Sequence, residues 1–174
     1  GLVTTGIFLA FFYEPSTRLV TFQEQSVPAA FASVLQINEL TLGLIARRIH
    51  HWSAHIMIAA ILVHMGRVYF TGAYKRPRDV NWVIGSGLLL LTVMAAFVGY
   101  LLPFDEFAVT ATGIGYNIVS SIPWVGTDLA NLAFAGPFPN QYTVPRFYGW
   151  HVMLIPLLLA GLIGIHLLIL FKLK

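Results

Sequence analysis

The chain of 174 residues contains no cysteine. This absence excludes disulfides, zinc sites built on thiolates, iron–sulfur ligation and thioether-attached haem within these residues. Charged side chains are also scarce, at 10% of the sequence, whereas a typical soluble domain contains about 25%. With 57% hydrophobic residues and a net charge of only +3, the composition indicates an integral membrane protein and gives no reason to expect a nucleic-acid partner.

Several apolar runs are long enough to cross a membrane, which takes about 20 residues of helix for a hydrocarbon layer of roughly 30 Å. Three qualify: Met57–Met65 with its flanks, Trp82–Leu102 and Val152–Phe171. They are too many and too long for a cleaved signal peptide. The first run, Gly1–Tyr13, makes only about 20 Å of helix before Pro15 stops it. We therefore expect that helix to begin upstream of residue 1.

This pattern predicts one domain, 1–174, with helices at about 1–14, 40–70, 81–102 and 146–173. The polar and apolar residues of 16–39 predict a connector at the membrane surface. The connection 103–145 is too apolar for disorder, and loops of that length are usually functional. Basic residues cluster at one predicted side, in the loop KRPR (75–78) and at Lys172 and Lys174. The positive-inside rule places that side in the cytoplasm and 103–145 on the opposite side.

All six histidines fall in two of the predicted spans. Ionisable residues inside a membrane span are costly and are functional candidates by default. In the second span, His50 and His64 are 14 residues apart, which places them about 40° from each other around the helix and about 21 Å apart along it. His51 and His55 point to other faces, about 140° and 180° from His64, so we expect no ligand role for either.

The fourth span repeats this arrangement with His151 and His166, 15 residues apart, about 60° from alignment and roughly 22 Å apart. A second and a fourth span run parallel, so each depth has one imidazole from each helix. Two facing imidazoles suit a six-coordinate haem iron whose axial positions are both filled by the protein. The alternative is buried histidines bonded to the backbone or to each other. Zinc is less apt, because no carboxylate or thiolate joins these pairs at the same depth.

Other residues agree with a haem site. Gly85 and Gly99 on the third span are again 14 residues apart and share a face that a flat macrocycle could approach, although small residues also serve plain helix packing. Arg47 lies one turn before the first predicted ligand and Arg67 one turn after the second. Both could hold haem propionates, and the alternative is that they snorkel at the ends of the span.

Six segments resemble the cytochrome b of quinol-oxidising cytochrome bc complexes. They are TGIFLAFFYEP (5–15), RRIHHWSAH (47–55), LVHMGRVYFTGAYKRPR (62–78), LLLLTVMAAFVGYLLP (88–103), SIPWVGTDL (121–129) and RFYGWH (146–151). The length, the basic loop and the 15-residue interval look most like the short, split cytochrome b6 type. In that type a separate subunit supplies the remaining helices.

The resemblance implies an all-α transmembrane fold. It would be a four-helix bundle enclosing two non-covalent b haems, with a long extracytoplasmic connection between helices three and four. The implied iron ligands are His50 and His151 for the outer haem, and His64 and His166 for the inner haem. The implied haem contacts, besides Arg47 and Arg67, are Gly6, Gly43, Gly85 and Gly99.

The implied function is electron transfer in a quinol:cytochrome c (or plastocyanin-like acceptor) oxidoreductase, in which this subunit is not catalytic alone. Quinol would be oxidised near the outer side. One electron would pass to a Rieske-type iron–sulfur protein, and the other through both haems to a quinone at the inner side, contributing to protonmotive force. The implied partners are a three-helix second-half cytochrome b subunit, the Rieske-type protein, a c-type cytochrome, the quinone pool and membrane lipid. The complex would be a dimer in a prokaryotic plasma membrane.

The sequence departs from the family after Pro103, where a tryptophan, a glutamine and an aromatic pair are usual. Here it reads FDEFAVT (104–110). The candidate wall of the quinol site is Phe104, Asp105, Glu106 and Ala111. The two acids could take a quinol proton or bind a partner subunit, or they could be a solvated loop pair. Tyr148 and Trp150 are interpreted as interfacial aromatics at the membrane boundary.

Two rival functions remain open at this point. One is a di-haem membrane anchor that passes electrons between the quinone pool and another oxidoreductase, such as a molybdenum or nickel–iron enzyme, without a bifurcating quinol site. The other is a haem-free structural or transport bundle. The family's Pro-Glu-Trp-Tyr motif belongs to later helices and does not occur in these residues, so the quinol-oxidising pocket would need a second half.

Overall fold

The computed structural model describes residues 1–173 and is mostly helical. Lys174, one of the predicted basic residues, lies outside the described part. Helix α1 is Leu2–Ala10, shorter than the predicted 1–14. It closes in a turn in which the N–H of Phe11 donates to Phe8 and the N–H of Tyr13 donates to Leu9, just ahead of Pro15. Nine residues make about 14 Å of helix, well short of a bilayer.

The predicted connector 16–39 is more ordered than expected and includes strands that an all-α fold does not have. Strands β1 (Leu19–Phe22) and β2 (Gln25–Pro28) form an antiparallel hairpin. Its two turn residues, Gln23 and Glu24, both have positive φ, 47° and 65°, as a tight hairpin turn requires. Helix α2, Ala29–Glu39, follows directly and buries one face, mainly alanines.

Three helical segments are long and apolar enough to cross a membrane within residues 1–173, where four spans were predicted. They are α3 (Thr41–Phe70), α4 (Asp79–Leu101) and the segment Thr143–Lys172. The last one is not a single regular helix. It consists of α7 (Thr143–Gly149), a π-helical turn at Trp150–Leu154, which we call the wide turn, and α8 (Ile155–Lys172).

The long connection between α4 and α7 contains two further helices, α5 (Glu106–Ser120) and α6 (Gly126–Phe134). Asp105 caps α5, because its Oδ1 accepts a hydrogen bond of 2.8 Å from the N–H of Ala108, a common way to satisfy a first-turn donor. The connection is therefore a packed structure rather than an irregular loop.

The buried core lies at one end of the bundle, where α3 begins and α4 ends; we call this the outer end and the opposite one the inner end. Five side chains form the core cluster: Val98, Leu101, Phe134, Phe147 and Ile155. By contrast, 0% of the apolar stretch of α3 is buried within the isolated chain. Such a surface is expected to face lipid or neighbouring helices.

Candidate functional site

The rings of the predicted outer ligands lie close together. His50 on α3 and His151 in the wide turn have ring centroids 6.1 Å apart, with ring planes inclined by 75°. His151 Nδ1 lies 2.9 Å from the carbonyl oxygen of Ala95. His50 Nδ1 lies 3.2 Å from the carbonyl oxygen of Leu2 and 3.0 Å from the hydroxyl of Thr5. A carbonyl oxygen only accepts hydrogen bonds, so both Nδ1 atoms donate and each Nε2 retains its lone pair.

This pair has the chemistry of two axial ligands. A metal–imidazole bond of about 2 Å on each side of an ion places the ring centroids roughly 6 Å apart, close to the 6.1 Å between these rings. The described residues contain no group of three or more His, Cys, Asp or Glu side chains that could hold a metal ion. Backbone carbonyls orient both rings.

The predicted inner ligands, His64 and His166, also lie close enough to interact electrostatically. His166 is partly buried, whereas His64 is exposed within the isolated chain. His166 Nδ1 and Asn81 Oδ1 are buried and meet no hydrogen-bond geometry among the described residues, although the backbone of Asn81 lies near enough to interact with the His166 ring. Because an unpaired buried polar atom is costly, the inner pair is a candidate position for a bound group.

Three of the predicted glycines lie directly against these rings. A Cβ atom added at Gly99 would collide with the ring of His151. One added at Gly85 would lie 3.3 Å from Cε1 of His166, and one at Gly6 would lie 3.2 Å from Cε1 of His50. Helix α4 therefore presents a glycine to a histidine of the Thr143–Lys172 segment at each of two depths.

The fourth predicted glycine has a different neighbour. A Cβ atom at Gly43 would collide with the backbone carbonyl of Ile37, so close packing of α2 against α3 accounts for this glycine. Arg47 donates a 3.2 Å hydrogen bond to Asn38 Oδ1, which holds its guanidinium toward α2. Arg67 is exposed in the last turn of α3.

A groove of about 490 Å³ lies beside the start of α5. Three of the four residues predicted for the quinol-site wall line it, and the fourth, Ala111, packs instead against the core cluster. Asp105 is occupied as the cap of α5. The lining residues are Pro28, Phe104, Asp105, Glu106, Val109 and Thr110.

No sequence pattern indicates the atoms that orient the outer imidazoles. The acceptors of Ala95 and Leu2 are backbone carbonyls, which any residue possesses, and Thr5 belongs to no pattern. By contrast, helical spacing does distinguish His51 and His55 from the two predicted ligands of α3. Both are exposed on α3 and their rings lie 4.6 Å apart.

The hydrogen bonds of two tyrosines near the outer end were also not predicted from the sequence. The hydroxyl of Tyr13 donates a 2.6 Å hydrogen bond to the carbonyl of Leu102. The hydroxyl of Tyr148 donates one of 3.3 Å to the carbonyl of Ala10, and the two rings lie 5.5 Å apart. Burial, with a smaller contribution from Tyr148, raises the pKa of Tyr13 far above its ordinary value.

Comparison with known proteins relates this arrangement to one family. Residues 55–174 match the family described as cytochrome b (N-terminal)/b6/petB. The chain is 41% identical over 179 residues to the cytochrome b subunit of the cytochrome bc1 complex of Mycobacterium leprae, covering 95% of the chain and 32% of that protein. It is 40% identical over 163 residues to cytochrome b6 of Heliobacterium modesticaldum, covering 93% of the chain and 72% of that protein.

A solved structure described as a hyperthermophilic respiratory complex III agrees with the fold. Its TM-score is 0.78 at 28% identity, over 95% of this chain and 42% of that one. The chain spans about a third of the length of the cytochrome bc1 relatives that it matches. The three membrane-length helices, the paired histidines and these similarities lead to one conclusion. The chain is an integral membrane protein and belongs to the N-terminal cytochrome b/b6 family.

Proposed function

We propose that this chain is the di-haem part of an electron-carrying b subunit in a quinol-oxidising cytochrome bc-type complex. His50 and His151 bind the iron of an outer b haem, and His64 and His166 bind that of an inner one. The observation that supports this most strongly is the close outer pair, with both Nδ1 atoms engaged by carbonyls and both Nε2 atoms left as ligands. The names of the relatives, cytochrome bc1 subunit and cytochrome b6, point the same way.

The residues of the chain position and shield the cofactors. Each haem supplies a reversible one-electron carrier. The carbonyls of Leu2 and Ala95 fix the ring orientation of the outer ligands and increase their basicity. Gly6, Gly85 and Gly99 leave room for the ligand rings themselves, which lie directly against them. Arg47 and Arg67 lie near the two depths and could pair with propionates.

The two proposed ligand depths are about 21 Å apart along α3, so haems held there would provide one-electron carriers on both sides of much of the hydrocarbon layer. Moving one charge across a membrane at 100 mV corresponds to about 2.3 kcal/mol. Residues 1–174 would thereby act as one domain that contributes to protonmotive force. The partners we propose are a three-helix second-half subunit, a Rieske-type iron–sulfur protein and a c-type cytochrome, with quinol and quinone as substrates.

A second candidate is a di-haem anchor that serves another oxidoreductase without a bifurcating quinol site. One observation favours it. Asp105 is engaged in capping α5 and Ala111 faces the core, so half of the predicted quinol wall already has a structural role. The subunits of the purified complex separate the two candidates. An iron–sulfur protein together with a c-type cytochrome supports the first candidate, whereas a molybdenum or nickel–iron subunit supports the second.

The ligand assignment is tested by haem content in the full-length protein within its complex. We expect two b haems per chain, and one after His151→Ala or His64→Ala. His51→Ala is the matched control, because this exposed imidazole lies one residue from a proposed ligand on another helix face. It should leave both haems. A reduced-minus-oxidised spectrum of the parent without a b-type α-band would reject the proposal.

A further inference from the structure

The wide turn changes the rotational register of the helical segment Thr143–Lys172. The N–H of Ile155 donates to the carbonyl of Trp150, five residues earlier, whereas a regular α-helix bonds four residues back. Such a turn holds one residue more than an α-helical turn. The helix beyond it is therefore rotated back by about 100° relative to an unbroken α-helix.

Pro156, the second residue of α8, gives a local reason for the wide turn. Proline has no N–H, and in a regular helix its ring would collide with the carbonyl four residues earlier, that of Val152. Widening the preceding turn relieves this collision while the chain continues in the same direction.

Core packing shows the same register change without reference to any cofactor. Phe147 and Ile155 are eight residues apart, on either side of the wide turn, and both are buried in the core cluster, with exposures of 4% and 1%. An unbroken α-helix would separate them by about 80°, but with one residue absorbed the angle falls to about 20°. Leu159, one turn further, packs on the same cluster.

The glycines of α4 show it again at the two ligand depths. Gly85 and Gly99 are 14 residues apart on an uninterrupted α-helix, and they lie against His166 and His151. The histidines are 15 residues apart. The 15-residue interval therefore spans the same distance as a 14-residue interval on the neighbouring helix.

We propose that the wide turn absorbs the extra residue, so that His151 and His166 have the same spacing and rotational phase as His50 and His64. This inference rests on the proposed haem ligation. On a regular α-helix, His166 would be rotated about 60° past the direction of His151, because the two are 15 residues apart. His64 would stop about 40° short of the direction of His50, because that interval is 14 residues. His151 is the second residue of the turn, so most of the extra residue lies between it and His166. The residues of the turn, with Pro156, are positioning residues.

Single-residue deletions in the full-length protein within its complex test this proposal. Met153 is 66% exposed. Removing it from a Pro156→Ala variant should turn the segment into a regular α-helix in which His151 and His166 are separated by a 14-residue interval. We expect two haems per chain, with unchanged α-bands and unchanged low-spin EPR signals. Pro156→Ala alone should also keep both haems. The matched control removes Ile56, which is 65% exposed, from α3; that leaves 13 residues between His50 and His64 and should cost the inner haem.

The outcomes separate this inference from the proposed function. If the parent binds two haems and the Met153 deletion loses one or does not accumulate, the register proposal is wrong. If the parent binds fewer than two b haems, the proposed function is wrong. A further measurement does not depend on haem. The chain has no cysteine, so single cysteines at positions 144–166 can be labelled with a maleimide. The positions that react with the maleimide should repeat with the α-helical period before and after 150–154, with the second series shifted by one residue. A single series with the α-helical period through the whole segment would contradict the proposal.

Discussion

The outer and inner ends of the bundle differ in how much of the candidate site the chain fixes by itself. At the outer end, His151 lies beside a buried core, and carbonyl oxygens hold Nδ1 of both imidazoles. At the inner end, His64 is exposed, and His166 Nδ1 lies near the backbone of Asn81 without forming a well-aligned hydrogen bond among the described residues. The contacts of the chain itself therefore hold the outer pair more firmly than the inner pair.

Replacing each of the two glycines of α4 by alanine should show the largest difference between the outer and inner ends. At Gly99 the new methyl group would collide with the ring of His151, but at Gly85 it would lie 3.3 Å from the edge of His166. We expect Gly99→Ala to lose the outer haem and Gly85→Ala to keep the inner one, because the less restrained inner ring can shift. Haem stoichiometry and difference spectra measure both. Equal losses would mean that the two ends are equally rigid.

The second largest effect is expected from truncating a core side chain, which should destabilise the outer end more than the inner end. Phe134 is 4% exposed within the cluster, so Phe134→Ala should lower the free energy of unfolding by about 3–5 kcal/mol. Leu168, on α8 toward the inner end, is 61% exposed, and Leu168→Ala should change it by only about 0.5 kcal/mol. Denaturant titration in detergent measures each. A comparable loss at Leu168 would indicate a partner surface that is already covered.

The cap of α5 should have a smaller effect. Asp105→Ala removes the acceptor for the N–H of Ala108 and should cost about 1 kcal/mol of stability. Asp105→Asn is the control, because asparagine caps a helix nearly as well and carries no charge. If the asparagine variant kept its stability but, like the alanine variant, lowered quinol turnover, the carboxylate would have a role in proton transfer as well as in capping.

The smallest change concerns the hydroxyl beside His50. Thr5 Oγ1 lies 3.0 Å from His50 Nδ1, which also lies 3.2 Å from the carbonyl of Leu2. Thr5→Val should therefore lower the free energy of unfolding by only about 1 kcal/mol. It should also shift the midpoint potential of the outer haem but not that of the inner haem. Thr5→Ser, which keeps the hydroxyl, should restore it. A redox titration distinguishes these results.

The sequence allowed the long helices and the ligand candidates to be predicted, because both depend on strong periodic signals. Apolar runs gave α3 and α4 to within two residues, and the 14-residue interval separated His50 and His64 from their neighbours. The hairpin was missed because its turn, Gln23-Glu24, contains none of the glycine or asparagine that normally indicates positive φ. The short first helix was overestimated because the apolar run continues through the turn at Phe11.

The wide turn could not be predicted from the sequence for a different reason. Pro156 alone is compatible with a kink, a helix start or a bulge. Only the packing of Phe147 and Ile155 on one cluster selects the bulge. Likewise, the atoms that orient the outer imidazoles are backbone carbonyls, whose positions depend on tertiary structure rather than on residue type.

The hydrogen bond from Tyr13 to Leu102 also has a consequence for the order of assembly. It joins residues 89 positions apart, and the bond from Tyr148 to Ala10 joins residues 138 apart. Contacts between such distant residues form late, because closing long loops costs entropy. These two bonds therefore require α4 and α7 to be in place, whereas Leu2 and Thr5 contact His50 across only 48 and 45 positions. The outer end is thus tied together by two hydrogen bonds that connect α1 and the turn after it with α4 and α7.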